Sequence, residues 1–441
     1  MKRLLPLLLC AVLALFCATT AQAAGVSITL TASEYALHYA FDAGAQDPFV
    51  ILEYATPAEK GWMMLYSEDG HFEGDVSLAY SGAGGKTSVA LTSARTTGSI
   101  GKASTTLPKA ADYQKPTGKS NAKVTDFVLT ETPEGFHYAF NAIGTDYMLL
   151  YWRSKEQTVT QPVYPDENGH YEGDVVSELT FARTQFTVQV KSGSGSMKKE
   201  ATVRKGYQAP EAPQRQEGRL SGVTVCIDAG HQENGRFVNE PIGPGLTGST
   251  SGKGGMAQGT KTNRRESIVC LEIGMLLRDE LLRQGANVIM TREDQTTFHT
   301  NIERCEIAEA GGAQIMLRLH CNNSSNRSKR GIQVYGPLNS DYAKAVADAD
   351  TYREMGQKLL DAMKTRVGMT LANSTGMVRL NDNYVGNNWA KMMCFLVEMG
   401  YLSNPAEEYL LVTPVYQQWL AEGMADGVYE IAVARGWVQA Q

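Results

Sequence analysis

Val225-Cys226-Ile227-Asp228-Ala229-Gly230-His231 reads as a buried strand that ends in a tight turn with a histidine at its tip. Three consecutive apolar residues suit a strand covered on both faces, and Ala-Gly lets the chain leave the sheet at once. Ligands of open α/β sheets collect at the carboxyl ends of strands. Three more residues of metal or acid–base chemistry follow at comparable places. Glu266 opens a helical stretch, His320 ends a second apolar run and Glu398 ends a third.

Around that stretch, strand and helix patterns alternate. Strands are expected at 223–227, 287–290, 314–319, 331–335 and 393–397. Helices are expected at 264–284, 302–310, 343–367, 406–411 and 415–434, the first carrying Ile268, Leu271 and Met275 on one stripe and closed by Gly285. Alternation of this kind predicts an α/β domain over 220–437, with a mostly parallel sheet flanked by helices.

The first half is different. His38-Tyr39-Ala40-Phe41 returns as His137-Tyr138-Ala139-Phe140, and Gly70-His71-Phe72-Glu73-Gly74-Asp75-Val76 returns as Gly169-His170-Tyr171-Glu172-Gly173-Asp174-Val175, both shifted by 99 residues. Two separate matches at one offset mark a duplication. Short alternating runs punctuated by Gly, Asp and Asn predict two small all-β repeats, Ig-like sandwiches at 25–110 and 123–205. The four repeated histidines read as turn-closing residues of hairpins, against a metal or sugar site built once per repeat. Trp62 and Trp152 are candidates for exposed polysaccharide contacts. Pro210 and Pro213 lie in a polar linker at 206–219.

The chain has 441 residues, 43% hydrophobic and 20% charged, with a net charge of −6. That suits a multidomain globular protein and gives no electrostatic case for nucleic acid or an anionic membrane as the main partner. Lys2 and Arg3, an apolar run from Leu4 and then Ala21-Gln22-Ala23 predict a secretory signal peptide over 1–24, cleaved near Ala23 or Ala24. No transmembrane segment is expected in the mature chain, and the expected location is the cell wall or outside the cell. Cys226, Cys270, Cys305, Cys321 and Cys394 remain after cleavage. Their odd count and irregular spacing predict buried free thiols.

Two imidazoles and a carboxylate on rigid element ends are the donor set of a catalytic zinc site with one position open for water. His231, Glu266 and His320 supply that set for one Zn2+ ion, and Glu398 supplies a base beside it. Asp228, three residues before His231, is a candidate to orient its ring. Each residue also has a plainer reading. Glu266 suits a helix dipole, and a histidine at a strand end is often a satisfied polar group. The residues alone leave that choice open.

From 221 to 436 the sequence resembles the zinc-dependent N-acetylmuramoyl-L-alanine amidases of the Amidase 3 cell-wall hydrolase family. The resemblance rests on Ile227-Asp228-Ala229-Gly230-His231, Arg265-Glu266, Gly285-Ala286-Asn287-Val288-Ile289-Met290-Thr291-Arg292, Glu303-Arg304, Leu319-His320-Cys321-Asn322, Gly331-Ile332 and Leu396-Val397-Glu398-Met399-Gly400-Tyr401-Leu402-Ser403-Asn404. It implies zinc on His231, Glu266 and His320, catalysis by Glu398, and peptidoglycan as substrate, cut between N-acetylmuramic acid and L-alanine. It is silent about the repeats, whose surface-type pattern suggests binding to the wall or to a wall-associated protein. A zinc peptidase acting within the stem peptide is the rival enzyme, and a non-catalytic wall-binding protein the rival from another class. The chain departs from the family in the 34 residues between His231 and Glu266, where Gly243-Pro244-Gly245 and the glycine-rich 252–259 predict a flap near the substrate. Arg318 is expected to touch a substrate carboxylate or to pair with a neighbour. Arg292 and Arg304 are expected to be structural, and His299 is given no ligand role.

Overall fold

The computed structural model describes residues 19–22, 25–96, 98–113, 115, 122–132, 135–154, 157–176, 185–192, 197–204, 209–232, 238–250, 255–367 and 377–440. Most of the expected signal peptide, part of the linker and part of the expected flap lie outside them.

The N-terminal half is built from strands. The first group is β1 (Thr19–Gln22), β2 (Ser27–Ala32), β3 (Ala36–Asp42), β4 (Phe49–Ala55), β5 (Glu59–Tyr66), β6 (His71–Ser77), β7 (Gly85–Ser93) and β8 (Ser99–Leu107). The second is β9 (Lys123–Thr132), β10 (Gly135–Ile143), β11 (Met148–Arg153), β12 (Gln157–Val163), β13 (His170–Val176), β14 (Gln185–Lys191) and β15 (Met197–Arg204). The alternation in β3 shows why they form. Leu37, Tyr39 and Phe41 point into a core while His38, Ala40 and Asp42 point out. Each group has its own apolar cluster, around Leu30, Leu52 and Leu91 in one and around Phe136, Trp152 and Phe186 in the other.

These groups share a sheet. Small sheets in the order β1-β2-β3-β6 and β13-β10-β9 each face part of one eight-stranded sheet, β15-β14-β11-β12-β5-β4-β7-β8. The join is β12 against β5, through Gln157↔Gly61, Thr158↔Lys60 and Val159↔Glu59. Glu59, buried at that join, accepts from Tyr80 N and Ser81 Oγ and holds Gln157 Nε2 at 3.3 Å.

Two expectations about surface aromatics are corrected. Trp152 is fully buried, edge-on to Phe136, Phe186 and Tyr80. Trp62 is 7% exposed and packs edge-on against Tyr409 of the C-terminal half, with centroids 4.5 Å apart. Neither ring is available to a polysaccharide. A sequence alternation shows which face of a strand a tryptophan occupies, but not what covers that face. The repeated histidines sit on outward faces beside acids and an amide: His38 on Asp75 at 3.0 Å, His71 on Asp42 at 2.7 Å, His137 on Asp174 at 2.9 Å and His170 on Asn141 at 2.8 Å.

The C-terminal half is an α/β domain. In order it holds β16 (Thr224–Ala229), the short pair β17 (Glu240–Pro241) and β18 (Ser249–Thr250), α1 (Glu266–Arg283), β19 (Asn287–Met290), α2 (Asn301–Ala310), β20 (Ile315–Asn322), β21 (Gln333–Gly336), α3 (Asp341–Val346), α4 (Ala349–Val367), β22 (Met377–Leu380), α5 (Val385–Trp389), β23 (Met393–Tyr401), α6 (Glu407–Leu410) and α7 (Pro414–Ala434). The sheet is mixed, in the order β19-β16-β20-β23-β21-β22. β21 runs antiparallel to β23, and the other pairings are parallel. No described helix is long and apolar enough to cross a membrane.

Side-chain parity divides this sheet. Val225, Ile227, Ile315, Leu317, Leu319, Phe395 and Val397 enter the large core with α1, α4 and α7. Cys226, Met316 and Cys394 face a smaller cluster with α2. The five cysteines are buried and unpaired. Continuing the second parity toward the carboxyl edge brings Asp228, Arg318, His320 and Glu398 to one face.

The halves meet along an aromatic seam. Phe49 lies 5.9 Å from Tyr416 and 5.3 Å from Trp419, and Tyr66 lies 5.2 Å from Trp419. The described linker residues run along α1, where Arg278 donates to Pro210 O, Arg215 to Gly285 O and Gln216 N to Leu282 O.

Candidate active site

Beyond Ala229 the chain stays beside β20 for one more residue, because Gly230 N donates to Leu319 O at 2.9 Å. His231 then turns with φ 56°, in the left-handed region that a residue with a Cβ rarely occupies. Such backbone persists when its surroundings hold it. Here two buried arginines hold it. Arg292 donates to Ala229 O at 2.8 Å and Gly230 O at 2.9 Å, and Arg304 to Ala229 O at 2.9 Å and His231 O at 3.2 Å. Burial, then the neighbouring Arg304, pulls Arg292 down to about 10, still fully charged at neutral pH.

Gly230 matters for a second reason. A Cβ there would lie 2.7 Å from His320 Cε1 and 2.8 Å from His320 Nε2, and would also meet Leu319 O. The turn and the second imidazole fit together only without that carbon. Gly230→Ala is expected to displace the His320 ring and to lower divalent-ion affinity by about 10–100-fold, the usual range for disturbing a ligand's support. Titration of the metal-stripped protein with zinc measures it.

Glu266 occupies the first turn of α1, where a negative charge suits the helix dipole. Its carboxylate is almost fully used. One oxygen meets His320 Nδ1 at 3.0 Å and accepts from Cys321 N at 3.0 Å. The other meets His231 Nε2 at 3.1 Å and accepts from Ala257 N at 2.7 Å. Burial works to raise its pKa, but the hydrogen bonds to the two imidazoles prevail and hold it well below the usual carboxylate range. Burial lowers His320, against the pull of Glu266, so its ring is neutral and keeps a lone pair. The imidazole centroids lie 4.9 Å apart, and one ligand atom from each of His231, Glu266 and His320 falls within 4.8 Å of the others. His320 Nε2 is buried without a partner. Two imidazoles and an ionised carboxylate, with a buried nitrogen unsatisfied, fit a divalent metal ion.

Glu398 is brought alongside by register, since it pairs with His320 across β20 and β23. Its Oε2 is buried and has no hydrogen-bond partner. Burial, reinforced by the charge of Glu266, pushes its pKa well above the ordinary carboxylate value.

Asp228 does not orient His231, contrary to the expectation from spacing. Its side chain points into the sheet face, where it accepts from Arg318 Nε at 2.9 Å, Arg304 Nη1 at 2.5 Å and Thr291 Oγ1 at 2.7 Å. Burial opposes ionisation, yet Arg304 and Arg318 hold the carboxyl far below its usual range. Arg318 is therefore an internal partner, sharing itself between Asp228 and Asn301 Oδ1 at 2.6 Å. The backbone donors Ala257 N and Cys321 N escaped the sequence reading, because no residue type marks a backbone amide. His299 lies outside the His231–Glu266–His320 cluster, and its carbonyl accepts from Arg304 Nε.

The described parts of the expected flap are fastened. Glu240 accepts from Ile302 N and Asn301 Nδ2, and Trp389 and Asn388 donate to Pro241 O and Ile242 O. Residues 233–237 and 251–254 lie outside the described residues. A concavity of about 510 Å³ lies on β4, β7 and β8 of the eight-stranded sheet, between Glu53 and Lys102, and contains none of these site residues.

Residues 225–430 match the family described as N-acetylmuramoyl-L-alanine amidase. The chain is 26% identical over 231 residues to the germination-specific N-acetylmuramoyl-L-alanine amidase of Bacillus subtilis (strain 168), a match that covers 49% of this chain and 83% of that protein. It is 27% identical over 218 residues to the probable cell wall amidase LytH of Staphylococcus aureus, covering 48% of this chain and 60% of that one. Among solved structures it resembles the N-acetylmuramoyl-L-alanine amidase from Clostridium difficile 630, at 24% identity and a TM-score of 0.38, covering 48% of this chain and 96% of that chain. Over residues 225–430, just under half of its length, the chain is thus similar to the N-acetylmuramoyl-L-alanine amidase family.

Proposed function

We propose that this domain hydrolyses the amide bond between the lactyl group of N-acetylmuramic acid and L-alanine in peptidoglycan, using one zinc ion on His231, Glu266 and His320 and using Glu398 as general base and acid. The observation that carries the reading is the His–Glu–His donor set with an unpartnered carboxyl oxygen beside it, inside a segment that matches this family. A bound zinc ion supplies a water whose pKa is lowered toward about 7 and polarises the scissile carbonyl. Glu266, tied to Ala257 N and Cys321 N, keeps its carboxylate aimed between the imidazoles. Glu398 Oε2 takes the proton from the attacking water and returns it to the departing alanine nitrogen. Its buried oxygen, bonded to no protein group, is free for that transfer.

The substrate lies outside the cytoplasmic membrane, so the reading requires export, which the segment 1–24 serves as a cleaved signal peptide; cleavage takes β1 away and leaves β2 as the sheet edge. The 25–110 and 123–205 segments position the catalytic domain on the wall. They do so without Trp62 and Trp152, which are buried.

Mass spectrometry of sacculi digested with the full chain tests the reading. Released stem peptides with new L-alanine amino termini, beside intact muramic acid, are expected. Cleavage inside the stem peptide makes the protein a peptidase instead. Treatment with a chelator is expected to remove the activity and added zinc to restore it, read in the same digest.

A further inference from the structure

Next to Glu398 lies a cavity of about 310 Å³ lined by Lys329, Arg330, Gln333, Tyr335, Arg379 and Tyr401. Its volume is at the small end of those that take organic ligands. Register fixes where it sits. His320 pairs with Glu398, Glu398 pairs with Gln333 on β21, and Tyr335, two residues further, pairs with Arg379 on β22. Paired residues share a face of the sheet, and so do residues two apart. The cavity therefore continues the site's own face, from the proposed base toward the β22 edge, on the side away from the imidazoles.

Its chemistry is one-sided. Three cations line it, and among the described residues no carboxylate lies within ion-pair distance of any of them. Arg330 gives Nη1 to Arg95 O, while its Nε and Nη2 are buried without an acceptor. Glu407 feels the charge of Arg330 but uses its oxygens on Gly331 N at 2.7 Å and Tyr401 N at 2.8 Å. Gln333 Oε1, the acceptor on the floor, is taken by Tyr335 Oη at 2.6 Å. Two buried Arg330 donors without an acceptor, flanked by Lys329 and by Arg379, whose Nε meets Met377 Sδ, fit an anion, and guanidinium groups suit a carboxylate above all.

The direction of the reaction says which part of the substrate arrives there. Glu398 returns its proton to the departing nitrogen, and that nitrogen belongs to the peptide. The peptide therefore leaves the metal on the Glu398 side, toward the cavity.

We propose that Lys329, Arg330 and Arg379 form a subsite for a free carboxylate on the peptide portion of the substrate, within the first residues beyond the scissile amide. This deepens the amidase reading and rests on it for the identity of the ligand.

The test separates binding from hydrolysis. Calorimetry on full-length Glu398→Gln compares N-acetylmuramoyl-L-alanyl-D-glutamate, with both carboxylates free, against its diamide. The free acid is expected to bind at least about tenfold more tightly, as charge-assisted hydrogen bonds warrant. Lys329→Ala and Arg379→Ala, made in the same background, bring the acid down to the diamide's affinity and leave the diamide unchanged. Both side chains are exposed, so neither change touches the core. Equal affinities in the parent protein overturn the subsite, as does a preference that survives the double substitution. Hydrolysis by the wild-type chain, followed separately by release of L-alanine amino termini, decides the amidase reading on its own.

Discussion

Glu398→Gln is expected to lower hydrolysis by about 10²–10⁴-fold, the range for loss of a positioned general base, while leaving the fold and the bound zinc in place. Gln keeps the shape of the side chain and removes the carboxyl to which the proposed mechanism gives the proton. Nothing structural depends on Oε2, which is buried and bonds to nothing. The sign of the pH effect follows from the raised pKa. Without a metal, the folded protein binds the Glu398 proton more tightly than the unfolded chain does. Its stability therefore falls as pH rises from the ordinary glutamate range toward the raised value, whereas the Gln variant lacks that slope. Steady-state hydrolysis, metal content and melting curves of the stripped proteins across pH separate a lost base from a damaged site.

Asp228→Ala is expected to destabilise the protein by about 3–5 kcal/mol, the usual effect of removing one partner from a buried ion pair. Asp228 is fully buried, and Arg304 and Arg318 are each 3% exposed. Without the carboxylate both guanidinium groups stay buried with nothing to neutralise them. Against a total stability of roughly 5–15 kcal/mol, such a loss leaves little folded protein. The carboxyl's lowered pKa sets the pH window. Its contribution is complete above the unfolded value of about 3.9 and is lost as pH falls below it. Denaturant unfolding at neutral and acid pH measures both. Any surviving fraction should also bind zinc poorly, since Arg304 carries the carbonyls of Ala229 and His231.

The amino-acid order made much of the C-terminal half readable, for a definite reason. His320 and Glu398 each end an apolar strand, and neighbouring strands in one sheet bring their carboxyl ends to one edge. Two residues 78 positions apart thus become a registered pair. Strand polarity was less legible. Gln333–Gly336 is too short for its composition to show that it runs against β23. Asp228 shows a different limit. Three residues before His231 it is close in sequence, but strand alternation sends its side chain into the sheet while the chain turns away at Gly230. Parity in β16 and β20 was available to show this, because Asp228 and Arg318 both lie two residues beyond apolar side chains of the same face, Cys226 and Met316. In the N-terminal half the edge contact of β12 with β5 could not be read. Backbone pairing at a strand edge leaves no residue type behind.

The seam of Phe49, Trp62 and Tyr66 against Tyr409, Tyr416 and Trp419 has a mechanical corollary. A catalytic unit on a loose tether searches a volume. One riveted to its neighbour by interlocked rings, with its tether sewn down along α1, sweeps only where the whole body turns. On the proposed reading, a glycan strand held by the N-terminal half would reach the His231–Glu266–His320 cluster at one distance and one heading, as if against a ruler.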